Sequence, residues 1–470
     1  MKICLIAEGS YPYVTGGVSS WIQMLTKNIS EYNFVIYAIG AEKKYKDKYS
    51  YTLPDNILDV KEVFLDSILE KSGTYGRKYW LNQETKEDLK RLITGEEVKW
   101  ELIFELVKKK KIRNALDFFM SIDFFDIIKE AYIEKFSINP FTEFFWTIRS
   151  MLVPLFFLFE NPLPDADLYH SVSNGYAGIL GTLAKYIYKI PFILTEHGIY
   201  SREREEEIIK SSWIKGIYKN MWIKFFYNIT NGVYASTDRV FSLFNKNKEI
   251  ALELGCDSKK IEVIPNGVDV KEFSNLQSKT AAEEEFINIG TVTRVVPIKD
   301  IKTMIQSFNM VKKEIKNTRL YIMGPTDESK EYFKECKQLV ERLKLEDVYF
   351  MGKVNIKDHI GKMDIIILTS ISEGQPLSIL EGMASGKPTI ATDVGCCREL
   401  LYGVSDKYGQ AGIIAPIMNL EKISEAIIRL CDSKQLREEM GKNGFNRVSN
   451  LYTFDKFIGS YRNIYKEFEK

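Results

Sequence analysis

The stretch DIIILTSISEGQPLSILEGMASGKPTI, Asp364 to Ile390, decides the fold. It opens on an unbroken apolar run, crosses a glycine-containing loop, enters a segment headed by Pro376 and closes on a second apolar run after Gly386-Lys387-Pro388. Unbroken rather than alternating apolar runs indicate strands buried on both faces, as in parallel sheets flanked by helices. Proline suits the first turn of the helix between them. Two acids punctuate the unit: Glu373 in the loop and Glu381 inside the helix. Neither metal ligands nor an obvious nucleophile lie between them.

The same rhythm extends outward in both directions. KICLIA, NFVIYAIG, DLYHSV, PFILTE, RVFSLF and KIEVIP precede it in the first half, and FINIGTV, LYIMG, VYFMG, PTIATDV and GIIAP belong to the second. Strand–helix alternation in each half predicts an α/β protein of two doubly wound, Rossmann-like domains. The joint is expected in the polar stretch Ser274 to Glu285, dividing the chain into 1–275 and 276–450. Residues from about 60 to 165 break the rhythm and read as a helical insertion in the first domain. Residues 451–470 have helical periodicity and are expected to pack back on that domain.

A length of 470 residues fits two domains. Lys and Arg number 65 against 64 Asp and Glu, without the basic surplus of a nucleic-acid binder. Six scattered cysteines include the adjacent Cys396-Cys397 but no CxxC pair, which suits a reducing cytosol. The start, MKICLIAEGS, is strand-like and contains an acid, unlike a secretory signal. Phe144 to Phe159 is strongly apolar yet short for a membrane span and interrupted by Arg149 and Pro154, so a buried helical hairpin is expected, the alternative being a surface that touches a membrane or a membrane partner. Lys108 to Lys111 read as a solvated helix face, with contact to anionic lipid as the alternative.

Three loops are candidates for binding an anion. GTVTRVVPIKD, Gly290 to Asp300, places Arg294 and Lys299 at a strand's carboxyl end, where open α/β sheets bind ligands. Arginine offers a fork of donors to a diphosphate and lysine a point charge. YPYVTGGVSSW opens a helix with Gly16 and Gly17, so the backbone can approach a ligand at a helix N-terminus. It is neither GxGxxG nor a P-loop, and an ordinary tight turn fits equally. Gly374, Gln375, Pro376 and Leu377 lead into a third helix whose free amides could hold phosphate or sugar oxygens.

Other constellations compete. Paired carboxylates fit an inverting glycosidase, which has no use for two cations nearby. Asp165-Ala166-Asp167 spells a metal-binding DxD, but the tripeptide is common. His170 and His197 both follow strands in the first half, leaving structural and cleft roles open.

In this order, the pieces resemble the retaining glycosyltransferases of family 4, which have the two-domain GT-B fold with an interdomain cleft. EGQPLSILE, Glu373 to Glu381, matches that family's E-x7-E motif, GTVTRVVPIKD its Arg…Lys diphosphate site, and PNGVD, Pro265 to Asp269, its interdomain strand end. AEGSYPYVTGGVSSWIQML, YHSVSNGYAG and TEHGIYSRERE look more narrowly like the PelF type of Pel exopolysaccharide synthesis, which also carries a long insertion. The resemblance implies that Glu381 binds the ribose and that Glu373, with the amides of Gly374 to Leu377, holds the donor sugar. Arg294 and Lys299 would grip the diphosphate with help from Gly16 and Gly17, and His197 would stand beside the reaction centre. Segments at Gly324 and at Gly352-Lys353-Val354 would line the base.

It further implies a UDP-sugar donor, a polysaccharide acceptor, no cofactor, no metal, a cytoplasmic location and inner-membrane Pel export partners. The alternatives are a non-catalytic GT-B subunit regulating a membrane synthase and a nucleotide-sugar epimerase. Intact Arg294, Lys299, Glu373 and Glu381 favour the enzyme, because a binding relic could lose some of them.

Overall fold

The computed structural model describes residues 1–112, 114–281 and 283–469. Arg113 in the expected insertion, Ala282 in the expected joint and Lys470 at the end of the expected terminal helix lie outside them. The chain forms two compact units. The first comprises Met1–Ser242 and Asn247–Val263 with the residues from Arg462 onward; the second comprises Leu243–Lys246 and Ile264–Tyr461. The passage between them therefore falls at 263/264, ahead of the polar stretch at 274–285.

The first unit holds β1 (Lys2–Glu8), β2 (Asn33–Gly40), β3 (Ile57–Phe64), β4 (Leu168–Ser171), β5 (Phe192–Glu196), β6 (Arg239–Ser242) and β7 (Ile261–Val263). All pair in parallel, in the order β3-β2-β1-β4-β5-β6-β7. The second holds β8 (Ile287–Val292), β9 (Thr318–Met323), β10 (Val348–Gly352), β11 (Ile365–Leu368), β12 (Thr389–Thr392) and β13 (Gly412–Ala415). These are also parallel, in the order β10-β9-β8-β11-β12-β13. Both are doubly wound Rossmann-like sheets, and both reverse direction beside their first strand: between β1 and β4, and between β8 and β11. At such a switch point the flanking loops part, leaving a crevice outside the strands' carboxyl ends.

The expected insertion needs correction at its start. Its first residues belong to β3, and helical structure begins only at Leu65. ILDVKEVF lies at the sheet edge with only its last two residues buried, so it lacks the unbroken apolar run that marks the central strands. The expected helical hairpin at 144–159 is instead one helix, Phe141–Glu160, that continues through Pro154. By length and composition it is apolar enough to cross a membrane, but nine of its twenty residues are buried in the unit's core. Phe156 stacks on Phe118 with ring centroids 5.4 Å apart, and Phe119 meets Phe124 edge-on at 4.6 Å. The insertion helices share one continuous core with β1 and β2 through Ile6, Tyr37, Phe104 and Phe156. Lys108 to Lys111 are exposed, with Lys109 paired to Glu105 at 3.0 Å.

In the second unit, separate apolar clusters occupy the two faces of the sheet. Ile366 and Leu368 point to one and Ile365 and Ile367 to the other, as period-two alternation requires. The last helix, Phe454–Glu467, ends in the first unit, where Arg462 bonds Glu31 and Glu467 pairs with Arg239 at 2.7 Å.

Candidate functional site

At the β8/β11 switch point the second unit gathers three of the predicted residues. Beyond β8 the chain makes a single turn at Pro297–Lys299 before the helix Ile301–Glu314, whose N-cap is Asp300. The loop after β11 is tied to it by backbone and side chain. Ile371 N donates to Ile298 O at 2.9 Å, and Thr369 Oγ1 lies 3.1 Å from the carbonyls of Lys299 and Asp300. This seam brings Lys299 Nζ to 2.5 Å from Glu373 Oε1, which also accepts from Ser370 Oγ at 2.6 Å. Both bonds fall on Oε1, leaving Oε2 for another donor. The two side chains are 16% and 10% exposed, so this pair is largely withdrawn from water.

Arg294 is placed differently. Its Nη1 donates to both oxygens of Glu328, at 2.5 and 2.7 Å, and the partners are 39% and 49% exposed. Glu328 sits on the loop after β9, which is fastened under Arg294. Thr293 N donates to Met323 O at 2.9 Å, and Val295 N to Pro325 O at 3.0 Å. Gly324 makes this possible: its φ is +152°, and a Cβ there would lie 1.9 Å from Thr293 O. Gly324 N donates to Gly352 O at 2.9 Å, so the segments expected to line a base are neighbours. Lys353 is exposed and Val354 half-buried.

Gly374, Gln375 and Pro376 lead into the helix Leu377–Ala384, which no side chain caps at its N-terminus. Buried Gln375 spends its Oε1 on Asn266 N at 2.6 Å, inside the PNGVD segment, so it braces the loop. Gly395, at φ +52°, lets the turn after β12 pass beneath: its Cβ would lie 2.3 Å from the carbonyls of Glu373 and Gly374. Glu381 is half-buried in the helix and its carboxylate has no hydrogen bond or ion pair among the described residues. Burial pushes it up to about 7, with Lys357 opposing. The structure thus joins Glu373 to Lys299 and leaves Glu381 apart from both.

In the first unit, Gly16 caps the helix Gly17–Asn28 without a side-chain bond, and a Cβ at Gly16 or Gly17 would meet nothing within 4 Å. His197 follows β5. Its Nε2 is buried without a partner, Trp21 packs edge-on at 5.0 Å, and burial holds the ring down at about 4. His170 is structural: fully buried, it holds Tyr465 Oη with Nδ1 and Thr195 Oγ1 with Nε2, each at 2.8 Å. Burial, with His197 nearby, depresses it to about 3. Both imidazoles are therefore neutral at physiological pH.

Sequence reasoning missed the acids beside them. Glu8, ending β1, accepts from Tyr200 Oη at 2.9 Å, and burial raises its carboxyl despite Arg204. Glu196, ending β5, accepts from Tyr234 Oη at 2.6 Å and is pushed up to about 7 by burial. Glu328 was missed too. The available signal was position alone, an acid at or just after a strand's carboxyl end. Asp165 and Asp167 instead bond Lys2, through Nζ at 2.8 Å and backbone N at 2.7 Å. Among the described residues no group of three or more His, Cys, Asp or Glu is placed to hold a metal ion.

Known proteins share this plan. Residues 1–259 match a family described as a domain of unknown function, DUF3492. The chain belongs to that family. Residues 272–447 match the glycosyl transferases group 1 family, which makes this DUF3492 protein a glycosyltransferase of the family 4 kind. It is 26% identical over 309 residues to an Escherichia coli UDP-Gal:alpha-D-GlcNAc-diphosphoundecaprenol alpha-1,3-galactosyltransferase, covering 64% of this chain and 75% of that one. It is 26% identical over 234 residues to N-acetyl-alpha-D-glucosaminyl L-malate synthase of Bacillus anthracis, covering 48% and 57%. Among solved structures it is similar to Anabaena HepE in complex with UDP, with a TM-score of 0.63, 14% identity and coverage of 99% and 100%. Sucrose-phosphate synthase from Thermosynechococcus elongatus gives a TM-score of 0.62 at 16% identity, covering 99% and 98%. These likenesses establish the GT-B pair of Rossmann-like folds.

Proposed function

We propose that this glycosyltransferase moves a hexose or N-acetylhexosamine from a UDP-sugar to a growing exopolysaccharide of the Pel kind, retaining the configuration at the transferred carbon. The observation that carries this is the Lys299–Glu373 pair at the β8/β11 switch point, just ahead of the uncapped helix Leu377–Ala384, with Arg294 on the same loop as Lys299 and paired to Glu328. As the glycosidic bond breaks, the diphosphate gains negative charge. Cations and amides already in place stabilise that charge without reorganising. Lys299 is held ready by Glu373, whose free Oε2 can accept a hydroxyl of the donor sugar. Glu381, desolvated and unpaired, is suited to accept ribose hydroxyls, an interaction that favours its ionised form.

The first unit would supply the acceptor side. His197 enters as a neutral imidazole, so it offers a hydrogen bond rather than charge. Gly16 and Gly17 leave open space beside a helix N-terminus. A galactosyltransferase relative named for UDP-Gal and a fold neighbour solved with UDP support uridine as the base. No metal or cofactor is assigned a role; the charge work is given to side chains and amides. We place the reaction on the cytoplasmic face of the inner membrane, with export proteins as partners.

Calorimetry with UDP, ADP and GDP tests the donor, and product analysis with a panel of UDP-sugars tests the transfer. UDP binding no tighter than ADP or GDP would remove the uridine assignment. Products of inverted configuration would remove the retaining one.

A further inference from the structure

We propose that Glu328 is a resident counter-ion that occupies Arg294 when no donor is bound and is displaced by the donor's diphosphate. This rests on the reading of Arg294 as a diphosphate ligand. Two carboxylate oxygens at 2.5 and 2.7 Å occupy the donors of Nη1, which a phosphate oxygen would need, since a guanidinium pairs with either anion. The contact is not incidental to a mobile tip. Backbone bonds from Thr293 to Met323 and from Val295 to Pro325, with Gly324 packed against Thr293 O, clamp the two loops together and set Glu328 beside Arg294.

The two cation–acid pairs at this edge differ in what they can exchange. Lys299 and Glu373 are nearly dry and share Ser370, so parting them would strand a charge. Arg294 and Glu328 are well exposed, and an exposed pair is held only weakly. A diphosphate carries more charge than one carboxylate and outcompetes it at Arg294, while Glu328 swings into water. Glu328 thereby sets donor affinity and, after transfer, helps expel the nucleoside diphosphate.

The test is calorimetry on the full chain with UDP and with inorganic pyrophosphate, using wild type, Glu328→Gln, Arg294→Gln and the double variant. Glu328→Gln should tighten UDP about two- to fivefold, the range an exposed pair supports. KM for the UDP-sugar should fall by a similar factor, without a rise in kcat. In the Arg294→Gln background the same change should do nothing. Unchanged or weaker binding by Glu328→Gln overturns the proposal. So does an equal gain without Arg294, which would mark a general loss of negative charge. Tighter pyrophosphate binding by Glu328→Gln without UDP preference supports the exchange while sinking the uridine reading. If wild type binds neither probe, both fall.

Discussion

The two units share a strand order and a switch point, yet their carboxyl edges are built from opposite electrostatics. Beside β8 and β11 the groups are charged and paired: Lys299 with Glu373, and Arg294 with Glu328. Beside β1, β4 and β5 they are desolvated: His170 and His197 are held neutral, and Glu8 and Glu196 are raised by burial. One topology therefore carries ion pairs at one edge and neutral, desolvated groups at the other, which suits the anion and the hydroxyls of the proposed reaction respectively. The lesson is that the fold places a site, while neighbouring side chains choose its ligand.

The largest test of this contrast is the double change Arg294→Ala and Lys299→Ala. Turnover should fall by at least about 10²–10³; the melting temperature should hold for Arg294→Ala alone and drop once Lys299→Ala leaves the largely buried Glu373 without its cation. Near-normal transfer would take the cations out of the mechanism.

pH probes both edges, because burial disfavours the charged form of acid and base alike and so moves a carboxyl and an imidazole in opposite directions. Glu381 folds with a carboxyl raised to about 7, so its contribution to stability is complete below the unfolded value near 4.5 and is lost as pH rises through 7. Glu381→Gln should therefore gain stability over wild type at pH 8, on the order of 1–3 kcal/mol, and little at pH 4.5. His197, lowered to about 4, does the reverse: its contribution is present above about 6.5 and is lost as pH falls through 4. His197→Asn should flatten that acid limb. Denaturant titrations at pH 4.5, 6 and 8 distinguish these from a general charge effect.

Smaller effects probe the loops. Gly395→Ala should cost about 1–3 kcal/mol and loosen donor binding, because its Cβ must displace the carbonyls of Glu373 and Gly374. Gly17→Ala should leave stability unchanged or raise it by up to about 1 kcal/mol. Its Cβ points into open space, so any loss of donor affinity reports a ligand at that surface rather than damaged packing.

Much of this architecture could be read from apolar runs. All six expected strand segments of each half form strands: the central ones are covered on both faces and must be apolar at nearly every position, and edge strands such as β7 and β10 keep enough apolar residues to be read. β3 escaped because an edge strand carries charges on its open side. The hairpin expectation failed because Pro154 removes one helical hydrogen bond, while Leu152, Leu155 and Phe156 hold the segment in the core as one helix. Arg447 gave no signal at all, yet it is fully buried, bonded to Asp406 at 2.7 and 2.9 Å and to three backbone carbonyls.

Sequence by itself determined which residues stand at strand ends and helix starts, since hydrophobic period and proline act over a few neighbouring positions. It set Glu373 before a helix, Glu381 within it and Arg294 just past a strand. Tertiary structure alone decided what those groups meet: Lys299 finds Glu373 across 74 residues, and His170 finds Tyr465 across 295. Charge state follows from desolvation and from such partners, and both come from chain segments that no local pattern links.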